Sequence, residues 1–322
     1  MMPMNYEALF CDWELRHTYN VSSRNVDQAE CSAIKFGSAT IESSLADELI
    51  SDSLDDISYL DYENSVEEEI EIDDSVSTLQ LEIDRRCSYL GDFYPFERKG
   101  NSLVYKGSAS GIYELCLGIS SINVNDAKFN RLPRLFEEVA AVVFATYVGM
   151  DAKYLRTGWP NGETFKNSFK KIHDITGEWL WNPSVGLPDV PSVKNIKDGG
   201  IDFVVWRDVI DSRQGKIFYL GQCACGNNWD TKFNDINMQT VQRWFDFPLS
   251  HINPMRVFAT PYHIIGVNMK EVAMSAGIPI DRIRLSRISE ENKILTDSLM
   301  NKFSDEIIKG IATTTGGEWI SI

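Results

Sequence analysis

Between Gly200 and Lys232 the chain reads GIDFVVWRDVIDSRQGKIFYLGQCACGNNWDTK, and no other stretch constrains the fold as tightly. Two apolar runs, Ile201–Trp206 and Ile217–Leu220, flank a polar connection, Arg207–Lys216. Both runs are rich in β-branched and aromatic side chains, which favour strand, and Ser212-Arg213-Gln214-Gly215 is good turn chemistry. The pattern predicts a β-hairpin over 201–223. Asp202 opens its first strand and Gln222 ends its second. A carboxylate and an amide at matching strand ends point to a metal site more than to a need of the fold. Asp198, beside Gly199-Gly200, reads as a loop cap.

Upstream, Leu135, Phe136, Val139, Ala140, Val142, Val143, Phe144 and Tyr147 form a broad apolar face. Pro133 starts this helix and Gly149 stops it. Lys153–Leu155 reads as a short strand, Phe165–Gly177 as a helix, and the proline-spaced 182–192 as a loop. After the hairpin come a helix near 236–246, a strand over Arg256–Thr260 stopped by Pro261, and a helical, mixed-charge tail over 285–311. The order helix, strand, hairpin, helix, strand gives an α/β (α+β) class: a mixed sheet with helices on both faces.

The first part of the chain differs in kind. Residues 1–40 mix aromatic and polar residues and are expected to hold short strands. An amphipathic helix is read over the acid-dense 42–75 from Leu45, Leu49, Ile50, Leu54, Ile57 and Leu60. A second helix runs from Val76 through Leu79, Leu81, Ile83 and Cys87 to Gly91. An aromatic turn at Asp92–Glu97, a strand at Leu103–Lys106 and a helix at Gly111–Ser121 follow. The expected division is an acidic, mainly helical region over 1–125 and a mixed-sheet core with a C-terminal helical extension over 126–322.

Charge follows the same division. The net charge is −16, yet residues 1–84 hold 21 Asp and Glu against only Arg16, Arg24 and Lys35, a net of −18. The remainder holds 26 acids and 28 bases, a net of +2. Taken whole, the acidity argues against nucleic-acid binding; taken by region, residues 85–322 are near neutral and allow it. The acidic stretch reads as a solvated face, or as an arm that docks a basic partner. A hydrophobic fraction of 43% is that of a globular protein. No apolar run approaches the 18 or so residues of a membrane span, and the N-terminus has neither the basic nor the apolar part of a secretory signal. Six cysteines without a CxxC pair and four scattered histidines argue against zinc and fit a reducing cytoplasm.

With these residues in view, the segment around the hairpin resembles the core of the restriction-endonuclease-like, PD-(D/E)XK nuclease superfamily. In that superfamily a strand Asp is followed, one hairpin later, by (D/E)-x-K. Some branches, including Mrr-like enzymes, carry Gln in place of the second acid. Asp202 matches the first acid and Gln222 the second, whereas Ala224 stands where the lysine belongs. The nearest downstream lysine is Lys232, and some members carry a lysine displaced to the following helix. The resemblance covers roughly residues 134–262, about two-fifths of the chain.

The resemblance implies metal-dependent cleavage of DNA, with RNA left open, in a prokaryotic restriction or anti-phage setting in the cytoplasm. Hydrolysis of a phosphodiester needs an activated water and a neutralised leaving oxygen, and Mg²⁺ or Mn²⁺ held by hard oxygens supplies both. The implied ligands are Asp202, the Gln222 amide oxygen and the Cys223 carbonyl. Lys232 would face the scissile phosphate, with Lys216 as a second candidate. Glu137, beside Phe136 on the long helix, matches an acid that the superfamily often carries there. Lys153, Arg156, Lys166, Lys170, Lys171, Lys194 and Lys197, with Trp159, are candidates for a phosphate-facing rim. Two other readings stay open: a catalytically lapsed nucleic-acid binder, given Ala224, and an interaction protein whose acidic region docks a partner protein of a defence system. The sequence leaves room for a homo-oligomer.

Overall fold

A computed structural model describes residues 21–41, 62–121, 132–149, 151–158, 164–184, 199–211, 213–246 and 253–292. The chain forms two compact units, one of residues 1–123 and 289–322, the other of 124–288. The described residues Ser289–Asn292 group with the first unit, where the sequence had placed them in an extension of the second.

The first unit contains α1 (Val21–Phe36), β1 (Ser38–Thr40), α2 (Tyr62–Leu90), β2 (Phe96–Lys99), β3 (Ser102–Tyr105) and α3 (Ile112–Ser121). The strands form an antiparallel sheet in the order β1-β3-β2. Short strands are expected over 1–40; residues 1–20 lie outside the described residues, and of the rest 21–36 is a helix and 38–40 is strand. The helix buries Val26, Ala29 and Ala33, and with them Asn25, Asp27, Gln28 and Glu30. Of the helix expected over 42–75, residues 42–61 lie outside the described residues. From Tyr62 the chain is helical without a break to Leu90, burying Val76, Leu79, Ile83 and Leu90 at helical spacing.

A buried charge cluster joins α1 to α2. The Arg86 guanidinium is fully buried; it lies 2.6 Å from Asp27, 3.0 Å from Glu30 and 3.3 Å from Glu82. Glu30 also accepts hydrogen bonds from the hydroxyls of Tyr94 (2.6 Å) and Tyr113 (2.8 Å). A charge out of water is tolerated only when paired and hydrogen-bonded, and these contacts meet that condition.

The second unit carries α4 (Leu132–Val148), β4 (Ala152–Arg156), α5 (Phe165–Thr176), β5 (Phe203–Arg207), β6 (Ile217–Cys223), α6 (Met238–Gln242), β7 (Met255–Ala259), α7 (Gly266–Ala276) and β8 (Ile278–Ile280). A last helix, α8 (Arg282–Glu291), crosses the dividing point. The sheet is five-stranded and mixed, in the order β4-β5-β6-β7-β8. Its β4, β5 and β6 are antiparallel, while β6, β7 and β8 are parallel. The chain is therefore of the α+β class that the sequence indicates.

Alternation along the strands assigns the two faces. Leu155, Val204, Trp206, Phe218 and Leu220 turn to one side, packing with Phe165, Phe169 and Ile172 of α5 and with Trp181, Trp244 and Phe245. That helix is well delimited: the Thr164 hydroxyl accepts from the Asn167 amide, and Gly177, at φ 68°, closes the last turn. The other side, with Arg156, Phe203, Val205, Tyr219, Gly221 and Cys223, meets α4, where the Phe144 and Tyr219 rings lie 5.1 Å apart. Gly221 has to lack a side chain, because the Phe203 ring occupies the place of its Cβ. No helix among the described residues is long and apolar enough to cross a membrane.

Candidate functional site

The site sits at the end of the hairpin where β5 begins and β6 stops. Phe203 pairs in register with Gly221, yet the Asp202 amide also donates to the Gly221 carbonyl at 2.8 Å. Two residues therefore oppose one, which is the geometry of a β-bulge. Bulges re-aim side chains, and here the Asp202 carboxylate receives the Cys223 amide at 2.6 Å. The chain leaving β4 is fastened to the same place. The amides of Thr157 and Gly158 donate to the Asp202 carbonyl at 2.8 and 2.9 Å, and the Thr157 hydroxyl to the Ile201 carbonyl at 2.6 Å.

Glu137 reaches this point from α4. Its carboxylate and that of Asp202 both crowd the bare Cα of Gly158: a Cβ there would run into Glu137 and come 3.1 Å from the Asp202 Oδ1. Any larger residue at 158 would displace one carboxylate or the other. Arg156, two residues earlier, holds Glu137 in an ion pair of 2.5 Å, with the two side chains only 16% and 10% exposed. Cys223 lies in the same field. Burial pushes its thiol well above the usual cysteine range, and the neighbouring Asp202 and Glu137 carboxylates push it further, against the opposing pull of Arg156.

Of the residues read from the sequence, the structure brings together Glu137, Asp202 and Cys223. It does not bring Gln222 to them. Alternation turns Gln222 to the α5 side with Phe218 and Leu220, where it is buried and its amide donates to the Lys232 carbonyl at 2.8 Å. The expectation that Asp202 and Gln222 share a face fails because the bulge shifts Asp202 by one residue, and a shift of one reverses the face. Gln222 is a clasp on the turn Gly226–Lys232, and Lys232 is held through its main chain. Ala224 is fully buried in a cluster with Trp229, Phe258, Tyr262, Ile264 and Val272, so no lysine could be charged there.

Three other candidate cations, Lys216, Lys153 and Lys170, are committed elsewhere. Lys216 is buried; it donates to the Arg213 carbonyl at 2.8 Å and lies 3.6 Å from Glu178, at the far end of the hairpin. Lys153 points to the face opposite Arg156 and donates to Asp208 at 2.8 Å. Lys170 pairs loosely with Asp174 on the surface of α5 at 3.8 Å. Trp159, Lys194, Lys197 and Asp198 lie outside the described residues.

No group of three or more His, Cys, Asp or Glu side chains placed to hold a metal ion occurs among the described residues. A set of two carboxylates completed by main-chain oxygen falls outside that description. Glu137, Asp202 and the Cys223 carbonyl are all hard oxygen donors, a set suited to Mg²⁺ or Mn²⁺ and not to softer metals. No family model, no curated protein and no solved structure matches the chain.

The clasp yields one prediction. Gln222→Glu removes the donor to the Lys232 carbonyl and sets a buried carboxylate against an acceptor. Loss of a buried hydrogen-bond partner costs about 1–3 kcal/mol, and more for a charge. The variant should unfold at clearly lower urea concentration without gaining Mn²⁺ affinity. Tighter Mn²⁺ binding at unchanged stability would return Gln222 to the metal site.

Proposed function

We propose that the protein is a metal-dependent nuclease that hydrolyses DNA phosphodiester bonds, similar in its core to the PD-(D/E)XK enzymes. The observation that carries the reading is the meeting of the Glu137 and Asp202 carboxylates at Gly158. They come from a helix and from a bulged strand end, and nothing in the sheet requires two acids there. Like charges held close are unfavourable, so a partner cation is the expected occupant; Arg156 fills part of that role now.

Asp202, Glu137 and the Cys223 carbonyl would hold Mg²⁺ or Mn²⁺. When bound, the ion lowers the pKa of a water and neutralises developing charge on the phosphate oxygens. The chain's own residues do the positioning. The Cys223 amide fixes one Asp202 oxygen, the Thr157 and Gly158 amides fix its main chain, and Arg156 fixes Glu137. The resemblance supports a restriction or anti-phage setting.

A second reading has its own support. Buried Ala224 and the turned-away Gln222 leave the superfamily pattern incomplete, which favours a lapsed enzyme that binds nucleic acid without cutting it. Incubation of supercoiled plasmid with the protein and Mn²⁺ or Mg²⁺ separates the two. Nicked or linear product that disappears with EDTA is expected. Salt-sensitive gel shifts with intact plasmid would favour the lapsed reading.

A further inference from the structure

Phosphodiester hydrolysis gains from a fixed positive charge at the non-bridging phosphate oxygens, and the position at which the resemblance would place one holds the apolar Ala224. We propose that Arg156 is the catalytic residue that supplies this charge, an inference that rests on the nuclease reading above. Register places Arg156 on β4 opposite Phe203, on the sheet face that carries Cys223. Its guanidinium contacts Glu137, whose carboxylate shares the space at Gly158 with Asp202. Of the described cations discussed above, it is the one at the two acids: Lys153 is on the opposite face with Asp208, and Lys216 is buried at the far end of the hairpin.

The chemistry of the group suits the role. A guanidinium stays protonated at any working pH, so it acts as a charge and never as a base. Its planar fork matches two oxygens of a carboxylate or of a phosphate equally well. Before substrate arrives one guanidinium nitrogen is paired with a Glu137 oxygen. On arrival the guanidinium would pass from Glu137 to the non-bridging phosphate oxygens, leaving the Glu137 carboxylate to help hold a metal ion. Water oxygen then bonds to phosphorus while the bond to the leaving oxygen breaks. The leaving oxygen keeps the electron pair and takes a proton from solvent, and the attacking water gives one up to solvent. Arg156 gains and loses no proton; its contacts tighten as charge builds on the phosphate.

Arg156→Ala and Arg156→Lys are compared with wild type in plasmid cleavage with Mn²⁺, alongside Mn²⁺ calorimetry and added guanidinium chloride at millimolar level. Removing one preorganised donor to a developing oxyanion typically lowers kcat about 10²–10³-fold. Arg156→Ala should lose that much in kcat at saturating Mn²⁺, lower Mn²⁺ affinity by no more than the ~10–100-fold of an outer-shell partner, and regain part of its rate with guanidinium. Arg156→Lys, which keeps the charge without the fork, should fall between, and it serves if the alanine variant does not fold.

Three results overturn the inference. Arg156→Ala cleaving like wild type does so alone. Loss of rate and Mn²⁺ binding together, without rescue, makes Arg156 a structural partner of Glu137 only. Retained rate in Arg156→Ala with loss in Lys232→Ala hands the charge to Lys232. A wild-type protein that does not cut at all, in either metal, fails the nuclease reading itself and takes this inference with it.

Discussion

Asp202→Asn is expected to abolish plasmid cleavage and to lower Mn²⁺ affinity by more than about 100-fold. Outer-shell partners of a metal site are typically worth 10–100-fold, and a direct carboxylate ligand exceeds them. The substitution is a narrow one. An Asn side-chain oxygen can still receive the Cys223 amide that now lies 2.6 Å from the Asp202 carboxylate. The main-chain bonds to Thr157, Gly158 and Gly221 do not depend on the side chain at all. What is lost is the negative charge, so the melting temperature should stay near wild type while binding and cleavage disappear. Cleavage retained by Asp202→Asn would place the chemistry elsewhere in the chain.

The largest expected effect on stability lies in the other unit. Arg86 is fully buried among Asp27, Glu30 and Glu82. Desolvation opposes its charge, and those carboxylates, Glu30 foremost, more than compensate and hold its pKa above the usual arginine value. Arg86→Met keeps the length of the side chain and removes the charge, leaving the carboxylates without their cation. Breaking a buried ion pair from one side costs about 3–5 kcal/mol. Urea unfolding followed by far-ultraviolet circular dichroism should register a loss of that size. Adding Glu30→Gln to Arg86→Met should recover part of it, since the two share one network. A loss below about 1 kcal/mol would mean that the carboxylates do not depend on Arg86.

How far the sequence discloses this fold depends on what each segment buries. The hairpin is legible because both of its strands bury apolar side chains and a polar turn separates them. Helix α4 is legible because Leu135 through Phe144 form one apolar face between Pro133 and Gly149. Helix α1 is not, because much of what it buries is polar: Asn25, Asp27, Gln28 and Glu30 are inside only because Arg86, Tyr94 and Tyr113 meet some of them. A periodicity of apolar residues cannot reveal a face built from ion pairs. Helix α7 and strand β8 escape for a different reason. The helix opens on Gly266 with no side-chain cap, and the strand is three residues long with Pro279 at its centre.

The site divides along the same line. Asp202 is legible from its place at a strand end, whereas Glu137 and Cys223 enter the reading only through the resemblance. The face taken by Gln222 depends on the bulge at Asp202–Phe203, and register is a property of the pairing rather than of either strand. Arg156 reads in the sequence as one cation among several at a rim. Its alternation with Leu155, which packs on the α5 side, is the signal that would have set it apart.

The central claim is that Asp202 and Glu137 hold a divalent ion beside Cys223. Crystals soaked in Mn²⁺ and measured at a wavelength where manganese scatters anomalously test it most directly. An anomalous peak at ordinary metal–oxygen distance from an Asp202 oxygen, with Glu137 or the Cys223 carbonyl as a further ligand, is the predicted result. A peak beside Gln222 and Lys232, or none near Asp202 in crystals of protein that cuts plasmid with Mn²⁺, would contradict it.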